Sequence, residues 1–172
     1  MLDDWKPSCC GNTQGAPNTT TWIAAAQEQK MTVTHYSSND AKFFQYLDKE
    51  IFVGDVLDSS NSGHMSAGYY RNKKKGEKNE WVVTYDEILV VTKGALTIRT
   101  ADSVKTAKPG EIIFLTKGTA LAYEAGEDDT EAVYITYPHW LHAQESSEHA
   151  DLLSAYRPVD EELETTGGAK GA

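Results

Sequence analysis

Residues 87–94, EILVVTKG, and residues 109–118, PGEIIFLTKG, decide the fold of this chain. In each segment a short apolar run ends at a Lys-Gly pair, and Pro109 with Gly110 opens the second run. β-Branched and aromatic residues favour strands, and glycine supplies the positive φ that a sharp turn needs. The two segments therefore predict a strand, a glycine turn at Gly94, a hairpin partner, a Pro-Gly turn and a second strand.

Similar short apolar runs, separated by turn signals, extend through residues 31–143. Strands at close spacing without long intervening helices indicate a sandwich or barrel, and residues 39–49 are the best helix candidate in this body. Residues 1–30 are predicted to be a flexible arm. Residues 144–172 are predicted to be a tail, helical over residues 144–156 and then acidic and disordered.

The composition restricts the class of protein and its partners. The chain has 172 residues, enough for one domain, and its 26 acidic residues exceed its 16 basic ones, giving a net charge of −10. This balance argues against nucleic acid and anionic membranes as partners. We find no apolar stretch of about 20 residues and no leader pattern, and the adjacent Cys9 and Cys10 cannot staple distant segments. A cytoplasmic protein is expected.

Four stretches carry a resemblance to a known family: MSAGYYR (65–71), WVVTYDEILVVTKGALTIR (81–99), PGEIIFLTKGTALAY (109–123) and YITYPHW (134–140). Together they resemble the cupin domain of the ethanolamine-utilization protein EutQ, over about residues 60–141. The resemblance implies an all-β fold, the cupin double-stranded β-helix or jelly-roll barrel, with short helices at the termini. It also implies a link to ethanolamine catabolism, and acetate kinase activity has been attributed to the family.

The usual cupin metal site is not expected. Cupins place two histidines before the glutamate and a third after the second segment, and those positions hold Trp81, Val83 and Leu121 here. Only the glutamate, Glu87, remains of the four usual ligands. We therefore expect no cofactor. A divalent transition metal stays an alternative, and its ligands would be His64, Glu87 and His139.

The candidate site centres on Glu87. Alternation along the chain places Trp81, Val83, Tyr85 and Glu87 on the face that cupins turn inward. A carboxyl group in an apolar aromatic cavity has a raised pKa and suits acid–base chemistry. The predicted catalytic residues are Glu87, Tyr85 and His64; the predicted substrate-binding residues are Trp81, Tyr70, Tyr123 and Lys75, with Tyr134 as a further lining residue.

These observations predict a homodimeric, EutQ-like small-molecule enzyme without the three-histidine site. It would use carboxylate and tyrosine acid–base chemistry on a small anionic metabolite, which the basic run around Lys75 would attract. Acetate kinase-type activity follows from family analogy only, because the sequence has no phosphate-binding loop. Two alternatives stay open: a metal-dependent cupin lyase, isomerase or oxygenase, and a non-catalytic cupin for ligand binding or assembly.

Overall fold

The structure is a computed structural model that describes residues 33–159. Within this range the chain forms eleven strands: β1 (Lys42–Tyr46), β2 (Ile51–Leu57), β3 (Ser66–Asn72), β4 (Lys78–Val82), β5 (Asp86–Lys93), β6 (Leu96–Arg99), β7 (Val104–Ala107), β8 (Ile112–Leu115), β9 (Ala120–Ala125), β10 (Thr130–Tyr137) and β11 (Tyr156–Pro158). One α-helix, α1 (Trp140–Glu145), and two 3-10 helices (Ser38–Asp40 and Ala150–Ala155) complete it. None of the helices in this range is long and apolar enough to cross a membrane.

The strands form two antiparallel sheets. The larger sheet has the order β11-β1-β2-β3-β10-β5-β8, and the smaller has the order β4-β9-β6-β7. From β3 to β10 the chain passes repeatedly between the sheets, with β3, β5, β8 and β10 in the larger and β4, β6, β7 and β9 in the smaller. Strands that alternate between two antiparallel sheets are typical of jelly rolls. The predicted all-β fold is confirmed.

Alternating side chains build the core between the sheets. In β10 every second residue from Thr130 to Thr136 is buried, and β5 buries Glu87, Leu89 and Val91 while exposing Ile88. This two-residue period is the one that a strand with one face inward requires. The inward rows of both sheets thus define the barrel interior, and Glu87 belongs to that row.

The predicted glycine turns are present. Gly94 has a φ of 67° between β5 and β6, and Gly110 has a φ of 87° between β7 and β8. Side chains with a Cβ rarely adopt this left-handed conformation, so glycine is the residue that these turns need.

One predicted helix is wrong, and a second is only partly present. Residues 39–49 form a 3-10 turn followed by β1, because β1 hydrogen-bonds to β2 on one side and β11 on the other. Residues 144–156 form the end of α1 and a 3-10 helix, and β11 then returns to the larger sheet, where Phe44 pairs with Pro158. Pairing between distant segments overrides local helix preference here, and the sheet continues beyond residue 143. The predicted arm, residues 1–30, and residues 160–172 of the tail lie outside the described residues.

The larger sheet presents apolar side chains outward at the end formed by β5 and β8. Ile88, Ile112 and Phe114 are 38%, 65% and 61% exposed, and Phe114 pairs with Ile88 across the two strands. We call these three residues the outer apolar face. β8 is the edge strand of this sheet, so one side of its backbone is not paired within the sheet.

Candidate functional site

A small cavity of about 40 Å³ lies between the two sheets. Aromatic side chains line most of it: Tyr70, Trp81, Tyr85, Tyr123, Tyr134, Trp140 and Tyr156. The remaining lining consists of Val53, Asn79, Glu87, Leu89 and Thr136. The predicted inward placement of Trp81, Tyr85 and Glu87 agrees with this geometry, and the candidate lining residues Tyr70, Tyr123 and Tyr134 also lie in the cavity wall.

Glu87 is linked across the barrel to Tyr123. Glu87 lies on β5 of the larger sheet and Tyr123 on β9 of the smaller one, and the tyrosine hydroxyl donates a 2.5 Å hydrogen bond to Glu87 Oε2. Both side chains are buried, with 6% and 5% of their surface exposed. Within residues 33–159, Tyr123 is the only side chain that hydrogen-bonds this carboxyl group, so Oε1 is left for a ligand or water.

Burial changes the acidity of this pair. It raises the pKa of Glu87 from its ordinary 4.5 to about 7, although the hydrogen bond from Tyr123 lowers that pKa in part. Burial, and secondarily the nearby Glu87 charge, also hold the pKa of Tyr123 well above its ordinary range. Near neutral pH, Glu87 therefore exchanges between acid and carboxylate while Tyr123 keeps its proton. A group poised in this way can give or accept a proton.

Tyr85, predicted to be catalytic together with Glu87, is not hydrogen-bonded to the Glu87 carboxyl group. Its hydroxyl oxygen instead accepts a 3.0 Å hydrogen bond from Trp81 Nε1. Burial raises the pKa of Tyr85 well above its ordinary range, and the Glu87 charge adds to this effect. Tyr85 therefore remains a neutral hydroxyl in the cavity wall, and Tyr123 is the partner of the buried acid.

A second carboxyl group lies behind the cavity wall and was not predicted. Asp55 on β2 accepts a 2.5 Å hydrogen bond from the Tyr134 hydroxyl and 2.9 Å contacts from Trp140 Nε1. Burial raises the pKa of Asp55, and the bonds from Tyr134 and then Trp140 oppose that rise. Asp55 thus ties β10 and the start of α1 to β2. The only sequence signal was one acid in the otherwise apolar run IFVGDVL.

Gly68 makes room for this arrangement. A Cβ at Gly68 would lie 2.5 Å from the Tyr134 hydroxyl oxygen and 2.1 Å from the backbone oxygen of Gly54. No side chain fits at those distances. The glycine of the Met-x-Ala-Gly stretch is therefore required by packing under Tyr134.

Tyr156 lines the cavity and was not predicted from the sequence. Asn79 connects it to the barrel, since Asn79 Nδ2 donates to the Tyr156 hydroxyl at 3.2 Å and Asn79 Oδ1 accepts from Tyr70 at 3.3 Å. The Tyr156 ring also lies edge-on to Trp81, with centroids 5.5 Å apart. Strand β11, which was expected to belong to the tail, thus supplies part of the cavity wall.

The other predicted site residues lie away from the cavity. His64 is exposed, and Lys75 is exposed with its backbone N–H donating to an Asp128 carboxylate oxygen at 2.8 Å. His139 is half-buried at the start of α1, with Nδ1 3.2 Å from Ser66 Oγ. None of the three lines the cavity. The structure therefore does not bring His64 to Glu87 or Lys75 to the interior.

The side chains present do not fit the usual cupin metal site. Trp81, Val83 and Leu121 are buried at the three histidine positions, and their side chains offer no metal ligand. Among residues 33–159, no three His, Cys, Asp or Glu side chains are grouped so that they could hold a metal ion. The alternative ligand set of His64, Glu87 and His139 is therefore not assembled.

Comparisons with known proteins agree with this architecture. The acetate kinase EutQ of Clostridioides difficile (strain 630) is 28% identical over 88 residues, which are 51% of this chain and 54% of that protein. The chain thus spans about half the length of this curated relative. The structure of the Clostridium difficile EutQ protein is 27% identical, with a TM-score of 0.52, and the match covers 67% of this chain and 82% of that one.

The fold extends to more distant proteins. The Schizosaccharomyces pombe Cnp3 cupin domain matches with a TM-score of 0.50 at 10% identity, over 66% of this chain and 80% of that chain, which shows a shared fold alone. The sequence profile of the family described as ethanolamine utilisation protein EutQ matches residues 24–142. That match covers more than half of the chain, and the matched range includes both Gly68 and Glu87. The chain belongs to the EutQ family and has the cupin fold.

Proposed function

We propose that this EutQ-family cupin is a small-molecule enzyme in which Glu87 transfers a proton inside the barrel cavity. The observation that carries the proposal is the state of this one side chain. Glu87 is buried in the cavity wall, has a pKa raised to about 7 and is held at one oxygen only. Carboxyl groups kept in that condition suit general acid–base catalysis near neutral pH.

The chemistry uses the two oxygens of Glu87 differently. Tyr123 holds Oε2, so a proton on Oε1 can pass to a ligand atom in the cavity, and the carboxylate that forms keeps its hydrogen bond from Tyr123. In a separate step, Oε1 of the carboxylate takes a proton from a second ligand atom. The net result is movement of a proton within the ligand or its loss with a leaving group, as in isomerases and lyases. Tyr85, whose hydroxyl accepts from Trp81, retains a hydrogen with which to orient the ligand.

The expected anionic metabolite receives no support from the cavity. The basic residues proposed to attract it lie outside, and Lys75 is exposed. No Lys, Arg or His is among the described residues that line the cavity.

Acetate kinase-type activity is a second candidate, carried by the name of the Clostridioides difficile relative. Phosphoryl transfer depends on cationic groups or Mg²⁺ at the transferring phosphate, and the described lining residues include no basic side chain. An assay for acetyl phosphate formation from acetate and ATP tests this candidate directly. Formation by the purified protein, lost in Glu87→Gln, would replace proton transfer as the proposed reaction.

The proton-transfer proposal is tested by hydrogen exchange. The protein is incubated in D₂O with a panel of small metabolites, and ¹H NMR follows the loss of C–H signals. We expect the wild type to exchange a carbon-bound proton of at least one compound, and Glu87→Gln to slow that exchange by at least about 100-fold. Glu80→Gln is the matched control, because Glu80 is an exposed acid on β4. Exchange that Glu87→Gln leaves unchanged would overturn the assignment, and no exchange with any compound would favour a non-catalytic binding protein.

A further inference from the structure

We propose that the cavity binds a small organic cation, an ammonium compound of about three non-hydrogen atoms, with the Glu87 carboxylate as its counter-ion. This inference rests on the proposed function and deepens it by naming the chemical class of the ligand. Four features of the cavity carry it: its charge, its hydrogen-bonding capacity, its aromatic lining and its size.

The charge of the lining favours a cation. Glu87 is the only ionisable group other than tyrosine among the described residues that line the cavity. The other carboxyl group nearby is that of Asp55, which accepts hydrogen bonds from the lining residues Tyr134 and Trp140. It adds no positive charge to the cavity. An anionic ligand would meet a carboxylate in a poorly hydrated space without a compensating positive charge, whereas a cation would neutralise it.

The hydrogen-bonding groups point to the same class. Most donors in the wall already donate to protein acceptors: Trp81 to Tyr85, Tyr70 to Asn79, Tyr123 to Glu87, Tyr134 and Trp140 to Asp55, and Thr136 to the Pro138 carbonyl. Glu87 Oε1 remains as an acceptor, and the tyrosine oxygens add weaker acceptor capacity. A ligand rich in donors, such as an ammonium group with three N–H bonds, satisfies this surplus. A carboxylate or phosphate, which only accepts, does not.

The lining is also the kind of surface that attracts organic cations. Seven aromatic side chains of the described range surround the cavity, and the Tyr70 and Tyr123 rings pack with centroids 5.9 Å apart. Aromatic faces attract ammonium groups through the ring quadrupole, most strongly when the site excludes water. Aromatic rings around one buried carboxylate combine both attractions at a single position.

The volume limits the size of the ligand. A cavity of about 40 Å³ has room for roughly three waters or a comparably small ligand. Such a ligand can reach an affinity of about millimolar at best, which sets the concentration range of the test.

The test compares three probes of similar size: ethylammonium, ethanol and acetate. Trp81 and Trp140 both line the cavity, so their indole N–H signals in ¹H–¹⁵N NMR spectra report binding there. We expect ethylammonium to shift these signals saturably in the millimolar range. We expect ethanol and acetate to bind at least about tenfold more weakly. Acetate that saturates where ethylammonium does not would overturn the proposal, and so would the absence of saturation with ethylammonium.

The counter-ion is tested by substitution. Glu87→Gln keeps the shape of the side chain and removes its charge, so ethylammonium affinity should fall by at least about tenfold. Glu80→Gln is the control and should bind ethylammonium as the wild type does. Equal ethylammonium affinity in Glu87→Gln and the wild type would overturn the role of Glu87 as counter-ion.

The affinity for ethylammonium should rise as pH increases from 6 to 8, because the pKa of Glu87 is raised to about 7 and only its carboxylate attracts the cation. The ammonium group stays protonated throughout, since alkylamines of this kind titrate near lysine, at about 10.4. The other titratable groups around Glu87 are Asp55 and the tyrosines at positions 70, 85, 123, 134 and 156, whose pKa values are all raised. The tyrosines stay neutral across this range. A pH dependence that persists in Glu87→Gln would contradict the assignment to Glu87 and point to Asp55.

The cation-binding proposal and the enzymatic proposal can be overturned independently of each other. Ethylammonium binding that depends on Glu87, in a protein without Glu87-dependent proton exchange, would uphold the cation site and overturn the enzymatic proposal. Glu87-dependent exchange in a protein that prefers acetate to ethylammonium would do the opposite.

Discussion

Tyr123 in the smaller sheet and Glu87 in the larger sheet share a 2.5 Å hydrogen bond that crosses the barrel interior. Among the residues that the structure describes, Glu87 is the one acid that lines the cavity, and the bond joins it to the opposite sheet. The ionisation of Glu87 is therefore coupled both to the chemistry of the cavity and to the stability of the barrel.

Stability should depend on pH through Glu87. Its pKa is about 7 in the folded protein and about 4.5 when unfolded, so the folded state holds an extra proton between these values. The folded wild type therefore loses stability as pH rises from about 4.5 to about 7, by about 3 kcal/mol in total. Glu87→Gln lacks this loss. The free energy of unfolding of Glu87→Gln, minus that of the wild type, should therefore increase by about that amount as pH rises across this range. Urea unfolding at pH 5 and pH 8 measures the difference.

The exposed-acid variant Glu80→Gln is the control for these unfolding experiments, and it should follow the wild type at both pH values. A stability difference between Glu87→Gln and the wild type that is the same at pH 5 and pH 8 would show that Glu87 ionises as an ordinary carboxyl group.

Removing the Tyr123 hydroxyl should raise the pKa of Glu87 further. The hydrogen bond from Tyr123 favours the carboxylate and lowers the pKa from the value that burial alone would give. Tyr123→Phe removes that donor and keeps the ring, so the midpoint of Glu87 titration should move above about 7. The carbonyl band of the protonated acid, followed by infrared spectroscopy against pH and identified by its absence in Glu87→Gln, reports the midpoint.

Tyr85→Phe is the matched variant for this measurement, since Tyr85 also lines the cavity but its oxygen accepts a hydrogen bond from Trp81 and the only side-chain hydrogen bond to the Glu87 carboxyl group among residues 33–159 comes from Tyr123. Its effect on the midpoint should be smaller than that of Tyr123→Phe. A lower midpoint in Tyr123→Phe would contradict the role assigned to the cross-barrel bond.

Gly68→Ala should destabilise the barrel. The new methyl group would overlap the Gly54 carbonyl oxygen and the Tyr134 hydroxyl. Gly54 belongs to β2, so its backbone cannot move away without breaking the pairing of β2 with β3. Overpacking of this kind costs about 1–3 kcal/mol or more. Gly63→Ala is the control, because nothing lies within 4 Å of a Cβ there. Chemical unfolding of both variants checks the prediction, and equal stability would refute the close packing of Tyr134 on Gly68.

The parts of the site that the sequence predicted share a local origin. Trp81 and Glu87 are buried as the two-residue alternation of strands requires, although the chain changes sheets between β4 and β5. The turn at Gly94 likewise follows from a property of one residue type. Alternation and turn chemistry depend only on neighbouring residues, so one sequence is enough to read them.

The parts that were missed depend on contacts between distant segments. Tyr156 enters the cavity wall because β11 pairs with β1 across more than 100 residues, with Tyr46 opposite Tyr156. Asp55 was overlooked because a single acid in an apolar strand resembles a residue that faces solvent, and only the packing of Tyr134 and Trp140 shows otherwise. His64 lies before β3 in a loop, where the sequence gives no direction for a side chain.

The predicted homodimer can be tested at the outer apolar face. Ile88, Ile112 and Phe114 expose apolar surface beside β8, the edge strand of the larger sheet within residues 33–159. Exposed apolar patches and sheet edges are both typical of association surfaces. Phe114→Asp places a charge at the centre of this face and should convert a dimer into a monomer, as measured by size-exclusion chromatography with light scattering. Val104→Asp on β7 is the control, because Val104 is 54% exposed but belongs to the smaller sheet. A monomeric wild type, or a Phe114→Asp variant that stays dimeric, would contradict association through this face.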